Sequence, residues 1–363
     1  MKIEKLSLLD YRNIASEEII FGENINIIQG PNGHGKTNIL ESIYLCSTGR
    51  SHRTRFDKDL ILFGRETSRI SLFMERDGKT DRIDAMIRAN GKKGFAVNSA
   101  AVKKYGDLFG TLLTVLFSPE EMRLVKNSPS DRRRFMDMEL CQLSKIYYFN
   151  LKQYYKVLKQ RNAFLKKSDS FETNKELFDV WDEQLVTYGN KIIGLRREFI
   201  DKISLYSDEY HRKISGGLGL EIKYAPNVLE ADFHEKLKKN LPKDILVGNT
   251  LCGPHRDDLV FLSDGRDIRS FGSQGEQRTA ALCAKLSEIR LIEEKTGTKP
   301  VVLLDDVFSE LDSSRKTFLT ELLKDIQVII TCADGAEEFR NMDNVRYFNV
   351  FCGKITNVRG PLK

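Results

Sequence analysis

Apolar positions along the chain change their spacing several times, and each change marks a different kind of element. The run INIIQGPNGHGKTNILESIYLCS reads as a buried strand, a glycine loop and then a helix with apolar positions Ile39, Ile43 and Leu45. That order opens an α/β nucleotide fold. Downstream, RISLFMERDGKTDRIDAMIRANGKKGFAV alternates and is punctuated by Asp77-Gly78 and Asn90-Gly91, dipeptides that accept the positive φ of tight hairpin turns. An antiparallel β lobe is expected there.

From about Ser130 the period becomes helical, with Phe135, Met138, Leu143, Tyr147, Leu151, Tyr154 and Leu158 in step. The polar stretch KKSDSFETN interrupts it, and Leu177, Trp181, Leu185, Tyr188, Ile192, Phe199, Ile203, Tyr206 and Tyr210 resume it. This predicts two long helices in an antiparallel hairpin, each reaching about 50 Å at ~1.5 Å per residue. After ISGGLG strands and turns return: KPVVLLDDVF is a short apolar strand ending in acid, QVIITC a buried strand, and VRYFNVFCGKITNV a closing hairpin. The expected organisation is a head of residues 1–120 and 241–363, interrupted by an arm of residues 121–240.

A length of 363 residues allows two to three domains with sizeable cores. A net charge of +6 favours polyanion partners, because summed positive charge concentrates phosphate-bearing ligands. The six cysteines form no CxxC pair, so neither a zinc ribbon nor a disulfide framework is indicated, and a reducing cytosol fits best. The N-terminus lacks the apolar core of a signal peptide, and no run of ~18 apolar residues offers a membrane span. A cytoplasmic protein with no membrane partner is expected.

Three motifs carry chemistry. GPNGHGKT fits GxxxxGK followed by Ser or Thr, between a predicted strand and helix. Backbone N–H groups of Gly30, Asn32, Gly33, His34 and Gly35 can wrap phosphates, with Pro31 shaping the loop; Lys36 can reach the β and γ phosphates of ATP, and the Thr37 hydroxyl can hold Mg²⁺. Asn38 follows directly, and His34 sits at a variable position of the loop. VVLLDDVFSELD delivers two adjacent carboxylates at a strand end: Asp305 to hold Mg²⁺ through water, Asp306 to orient or deprotonate the attacking water. Strand alternation would send the two to opposite faces unless the strand has ended. SFGSQGEQRT is a Gly-Ser turn before a helix, a second phosphate-binding helix start with the Ser273 side chain and the Gly275 N–H as donors.

The order of these motifs resembles the ABC-type ATPase heads of the SMC group, and more closely the RecF family. The matching pieces are LDYRN, GPNGHGKTNILE, GRSHRT, LFSPEE, SPSDRRRFMD, GPHRDDL, SQGEQRT and LLDDVFSELD, which span nearly the whole chain in the family's order. The resemblance implies that Ser273, Gln274 and Gly275 form the signature that binds the γ-phosphate held by a partner protomer. Lys36, Thr37 and Asp305 then belong to the resident site, Ser309–Asp312 runs along the dimer seam, and ATP is the glue of a homodimer. Arg53 matches an arginine loop that touches nucleotide or DNA, against the alternative of a solvated basic loop. Glu120, in FSPEE, falls where such heads carry the Q-loop and is a further metal candidate. His255 and Arg256 of GPHRDDL either contact DNA or nucleotide or belong to a structural ion-paired turn.

Three departures qualify the match. Gln274 stands where transporters have Gly, Asp306 is shorter than the usual Glu, and Thr331 and Cys332 stand where a switch histidine is usual. Slow turnover is expected from the second. Basic runs at RSHRTR, GKKG, DRRRF and KLKK could neutralise DNA phosphates without reading bases, with Arg132 to Arg134 equally able to serve as struts. The family implies gapped, single-stranded or duplex DNA as a partner, action with RecR and RecO in loading RecA, and a part in the SOS response. An SMC-like chromosome tether is the alternative, though the insertion gives only a short arm without a hinge domain. An ABC-transporter ATPase subunit is disfavoured by Gln274.

Overall fold

The structure is a computed structural model that describes residues 1–166, 175–333, 339 and 344–361. It has two compact units, Met1–Met122 with Glu288–Lys363, and Arg123–Ser287. The second unit therefore runs past residue 240, where the arm was expected to end, because a small sheet and two further helices belong with it.

The first unit holds two six-stranded sheets. One is antiparallel: β1 (Lys2–Tyr11), β2 (Ile14–Ile20), β4 (Thr67–Arg76), β5 (Lys79–Arg88), β6 (Lys93–Val97) and β7 (Ala100–Ala101), in the order β2-β1-β4-β5-β6-β7. Ile3, Leu6, Leu8 and Tyr11 of β1 are buried; a bulge between Ile3 and Lys5 and the positive φ of Asp10 shift the phase of alternation along the strand. Asp77 and Gly78 join β4 to β5 with φ of 53° and 74°, the double positive turn that matches strand twist. Asn90-Gly91 differs, since only Gly91 is left-handed, within a longer loop closed by Gly91 N–H donating to Arg88.

The other sheet has the order β15-β14-β3-β13-β12-β8, built from β3 (Ile25–Gln29), β8 (Thr114–Phe117), β12 (Val301–Asp305), β13 (Val328–Cys332), β14 (Val345–Phe351) and β15 (Lys354–Arg359). Five strands are parallel and β15 closes the edge antiparallel. Every residue of β12 and β13 is buried, which is why these strands read as continuous apolar runs and not as alternation. Helices α1 (Lys36–Thr48) and α8 (Ser313–Leu322) complete the unit.

In the second unit the expected first arm helix is broken. α2 (Pro129–Leu143) stops at Ser144, whose extended φ of −145° starts α3 (Lys145–Leu165), and the Ser144 Oγ caps α3 by accepting from Tyr147 N–H. A serine that bonds its own backbone offers an alternative to helix, and periodicity on either side conceals that choice. α4 (Lys175–Ser215) is 41 residues, roughly 60 Å at the α-helical rise, whereas α3 spans only about half that. The pair is antiparallel: Arg161 meets Asp182 near one end and Arg196 meets Tyr147 near the other. Most of the polar stretch expected to connect them, residues 167–174, lies outside the described residues. A three-stranded sheet of β9 (Leu220–Ala225), β10 (Asp258–Ser263) and β11 (Arg266–Asp267), with α5 (Phe233–Val247) and α6 (Ile268–Phe271), fills the rest. Helix α7 (Gln274–Thr296) begins here and ends among residues of the first unit. Among the described residues, no helix is long and apolar enough to cross a membrane.

Candidate nucleotide site

The carboxyl ends of parallel strands are where an open α/β sheet leaves a crevice, and the glycine loop, Asp305 and Asp306 lie at that edge. The glycine loop leaves β3 at Gly30 and enters α1 at Lys36. Two of its glycines are forced: a Cβ on Gly30 would lie 2.2 Å from the Val350 carbonyl oxygen, and one on Gly35 2.8 Å from Asn13 Oδ1. Their φ values, 148° and 109°, also suit glycine alone. No acid occupies the first turn of α1 and Gly35 brings no capping side chain, so its first amides stay available to an anion. The buried Lys36 Nζ donates to the carbonyls of Gly30 (2.5 Å) and Pro31 (2.9 Å), curled along the loop that it would serve.

Beside the loop, Asp305 ends β12. Its Oδ1 accepts from the Thr37 hydroxyl at 2.8 Å and from the Thr331 hydroxyl at 2.7 Å. Burial pushes the Asp305 carboxyl up, and the two hydroxyls and the Arg53 charge pull it partly back. A hydroxyl and a carboxylate 2.8 Å apart at the loop are a donor set suited to a hard divalent cation. Asp306 has left the strand: its φ is 53°, and its N–H donates to both the carbonyl and the hydroxyl of Thr331. The two acids are thus separated by a turn and not by pleat alternation. Thr331, at the place of the missing switch histidine, ties both aspartates to β13. Glu120 is exposed just beyond β8, the strand next to β12.

Sequence reading missed the group that holds this edge together. Glu41 on α1 is fully buried, and Arg12 donates to both its oxygens at 2.7 and 2.8 Å. The Ser51 hydroxyl donates to it as well, and Arg53 lies 3.7 Å away. Burial acts to raise Glu41, but the hydrogen bonds from Arg12 and Ser51 outweigh it and hold the carboxyl below its usual range. Arg53 also donates to Asn38 Oδ1 at 2.8 Å, and Asn38 donates to Asn13 Oδ1 at 2.8 Å. Arg53 is thus both exposed and anchored at the start of α1. The signal was present in LDYRN and NILE, but only folding brings them together. His34 docks the β14–β15 turn: its Nδ1 accepts from Cys352 N–H and its carbonyl from Gly353 N–H, both at 2.9 Å, and its ring lies 4.6 Å from Phe351.

The signature residues lie in the second unit, apart in the chain's organisation from the phosphate loop. Ser273 is exposed and caps α7 reciprocally: its N–H donates to Glu276 Oε2 at 2.7 Å, and Glu276 N–H donates to its Oγ at 3.2 Å. Those bonds hold the Glu276 carboxyl below its usual range. Gln274 and Gly275 open the helix, and Gln277 stiffens the approach by donating to the carbonyls of Ile268 and Gly272.

The two aspartates and the histidine of GPHRDDL are tied into the second unit. Buried Arg196 donates to Asp257 at 2.8 Å and to Asp137 at 2.7 Å, and Arg132 pairs with Asp258. Arg133 donates to the Asp257 carbonyl, so two arginines of the DRRRF run are bonded within this unit. His255 bonds Tyr154 Oη through Nδ1 and the Thr250 carbonyl through Nε2. Burial lowers its pKa to about 4 from an ordinary value of 6.5. Between those values the unfolded chain binds the proton and the native one does not, so stability is full above pH 6.5 and falls as pH drops toward 4. We expect urea unfolding to lose roughly 2 kcal/mol between pH 7 and pH 5 from this group, and the loss to vanish in His255→Gln. An unchanged slope in that variant would refute the assignment.

The family model for the RecF/RecN/SMC N terminal domain matches residues 2–353. The chain is 47% identical over 362 residues to the DNA replication and repair protein RecF of Lachnospira eligens, covering 98% of this chain and 99% of that one. It is 45% identical to the protein of the same name from Agathobacter rectalis, with 98% and 99% covered. A solved structure of the recombination mediator protein RecF with ATP, in the RecFOR pathway, superposes with a TM-score of 0.92 at 34% identity, covering 99% of this chain and 98% of that one. An Smc head bound to the C-terminal winged helix of ScpA gives 0.57 at 17% identity over 99% and 97%, a likeness of fold alone.

Proposed function

The chain belongs to the RecF family, and from that premise we propose that it is an ATP-operated DNA clamp of recombinational repair. ATP binding closes two copies over DNA at single-stranded gaps, and hydrolysis releases them. In this reading the phosphates sit on the N–H groups of Asn32 to Gly35 and of the start of α1, and Lys36 leaves the Gly30 and Pro31 carbonyls for the β and γ oxygens. Mg²⁺, held by Thr37 and through water by Asp305, would neutralise charge on those oxygens. Asp306 orients the attacking water, and its short side chain makes the ATPase weak until DNA organises the site. Ser273, Gln274 and Gly275 of the partner subunit complete the γ-phosphate cradle, with Arg53 at its rim. RecR, with RecO, is the expected partner in helping RecA load.

The observation that most supports this reading is the Thr37–Asp305–Thr331 cluster at the strand ends beside the glycine loop. The chromosome-tether and transporter readings have no comparable support: the curated relatives named above are repair proteins at high identity along the whole chain. Sedimentation with ATP and gapped DNA tests the clamp. Wild type is expected to dimerise, and Ser273→Arg to bind ATP yet remain monomeric, since a bulky cation at that cap blocks closure. A wild type that stays monomeric with both ligands present sinks the proposal.

A further inference from the structure

From Lys145 to Lys166 the chain contains no Asp or Glu, and this stretch is essentially α3. One side of the helix is buried through Tyr147, Asn150, Tyr154, Val157, Leu158 and Arg161. Lys145, Lys152, Lys156 and Lys159 are all exposed on the other. At ~3.6 residues per turn their spacing returns to one face within an arc of about 60°, over a length of ~21 Å. Among the described residues none of the four forms an ion pair, whereas other bases of this unit do, as in half-buried Arg197 with Glu230 and exposed Lys238 with Asp179.

A merely solvated helix face usually interleaves acids three or four residues from its lysines. Here Lys152, Lys156 and Lys159 repel one another at those spacings, an arrangement that a polyanion would relieve. Phe149, 53% exposed, sits among them with its ring 6.3 Å from that of Tyr188 on α4. One turn beyond Tyr188, exposed Lys191 adds a fifth unpaired cation. A face for a partner helix would place apolar anchors at these helical spacings, yet lysines occupy them.

We propose that this face of α3 is a track for the phosphate backbone of duplex DNA, an inference that rests on the DNA-clamp reading. Lysines act there as point charges, so the contact is indifferent to base sequence. The test measures binding of a short fluorescent duplex with ATP across a salt series. It compares wild type, the triple variant Lys152→Gln, Lys156→Gln, Lys159→Gln, and a charge-matched control with Lys79, Lys295 and Lys324 changed to Gln.

The α3 variant should bind about tenfold or more weakly at low salt, with a log-log salt slope shallower by about two to three, and with unchanged ATP affinity. The control should follow wild type. Equal slopes for wild type and the α3 variant, or equal losses in both triples, would overturn the track and leave the clamp standing. Wild type that binds no duplex would overturn both. DNA binding kept by the α3 variant together with lost binding to polyglutamate would reassign the face to an acidic protein.

Discussion

Lys36→Met is expected to abolish nucleotide-dependent dimers while leaving the fold intact. Met nearly matches the length and apolar stem of Lys, and the side chain is buried against its own loop, so packing changes little. What is lost is a charge that bonds the loop carbonyls at rest and, in the proposed cycle, the phosphates. Charge-assisted hydrogen bonds each contribute about 1.5–3 kcal/mol, so removing those to two phosphates should weaken ATP binding by two orders of magnitude or more. Titration with a fluorescent ATP analogue, followed by sedimentation at saturating nucleotide, reads both effects. ATP affinity within a few-fold of wild type would contradict the placement of Lys36 at the phosphates.

Arg196→Met should cost the second unit about 3–5 kcal/mol, the usual consequence of stripping one partner from a buried ion pair. The guanidinium, 1% exposed, donates to Asp257, Asp137, the Pro254 carbonyl and Tyr147 Oη at once. Asp257 also accepts from Tyr224 Oη and from Asn227 N–H. Burial already pushes the Asp257 carboxyl up, against the pull of Arg196. Without Arg196 the buried Asp257 carboxylate and the partly buried Asp137 both lose their shared cation, and Lys cannot replace a fork that reaches four acceptors. The single tryptophan, Trp181, lies in this unit and packs against Phe164 and Phe178, so its fluorescence reports urea unfolding there. A midpoint shift worth less than about 1 kcal/mol in Arg196→Met would mean that water, and not the guanidinium, satisfies these carboxylates. Adding Asp257→Asn should recover part of the loss by removing one buried charge.

These two residues stand at opposite ends of what can be read without coordinates. Lys36 is legible because a glycine loop between a strand and a helix is a local device: its φ values, amides and lysine all fall within eight residues. The same holds for Asp305, which ends an apolar strand, and for Ser273, which caps the helix it precedes. The antiparallel lobe and the buried parallel strands are legible for the same reason, since periods of two and unbroken apolar runs are fixed by neighbours in sequence.

Arg196 gives no such sign, being one more base in a charged helical stretch until folding sets it between Asp137 and Asp257. Glu41 is likewise unremarked on α1 until Arg12, Ser51 and Arg53 close on it from separate segments. Thr331 carries no motif, yet it hydrogen-bonds the site carboxylate, and Ser144 breaks a helix whose period continues on both sides. The ion pairs of the GPHRDDL aspartates with Arg196 and Arg132 likewise join distant segments. By itself, then, the amino-acid sequence determined the antiparallel lobe, the buried parallel strands, the phosphate loop and the strand-end acids, because each depends on short-range spacing, and it determined the family through the order of its motifs. Tertiary structure alone decided which charges are paired and which are left for a ligand, because burial and pairing join residues far apart in the chain.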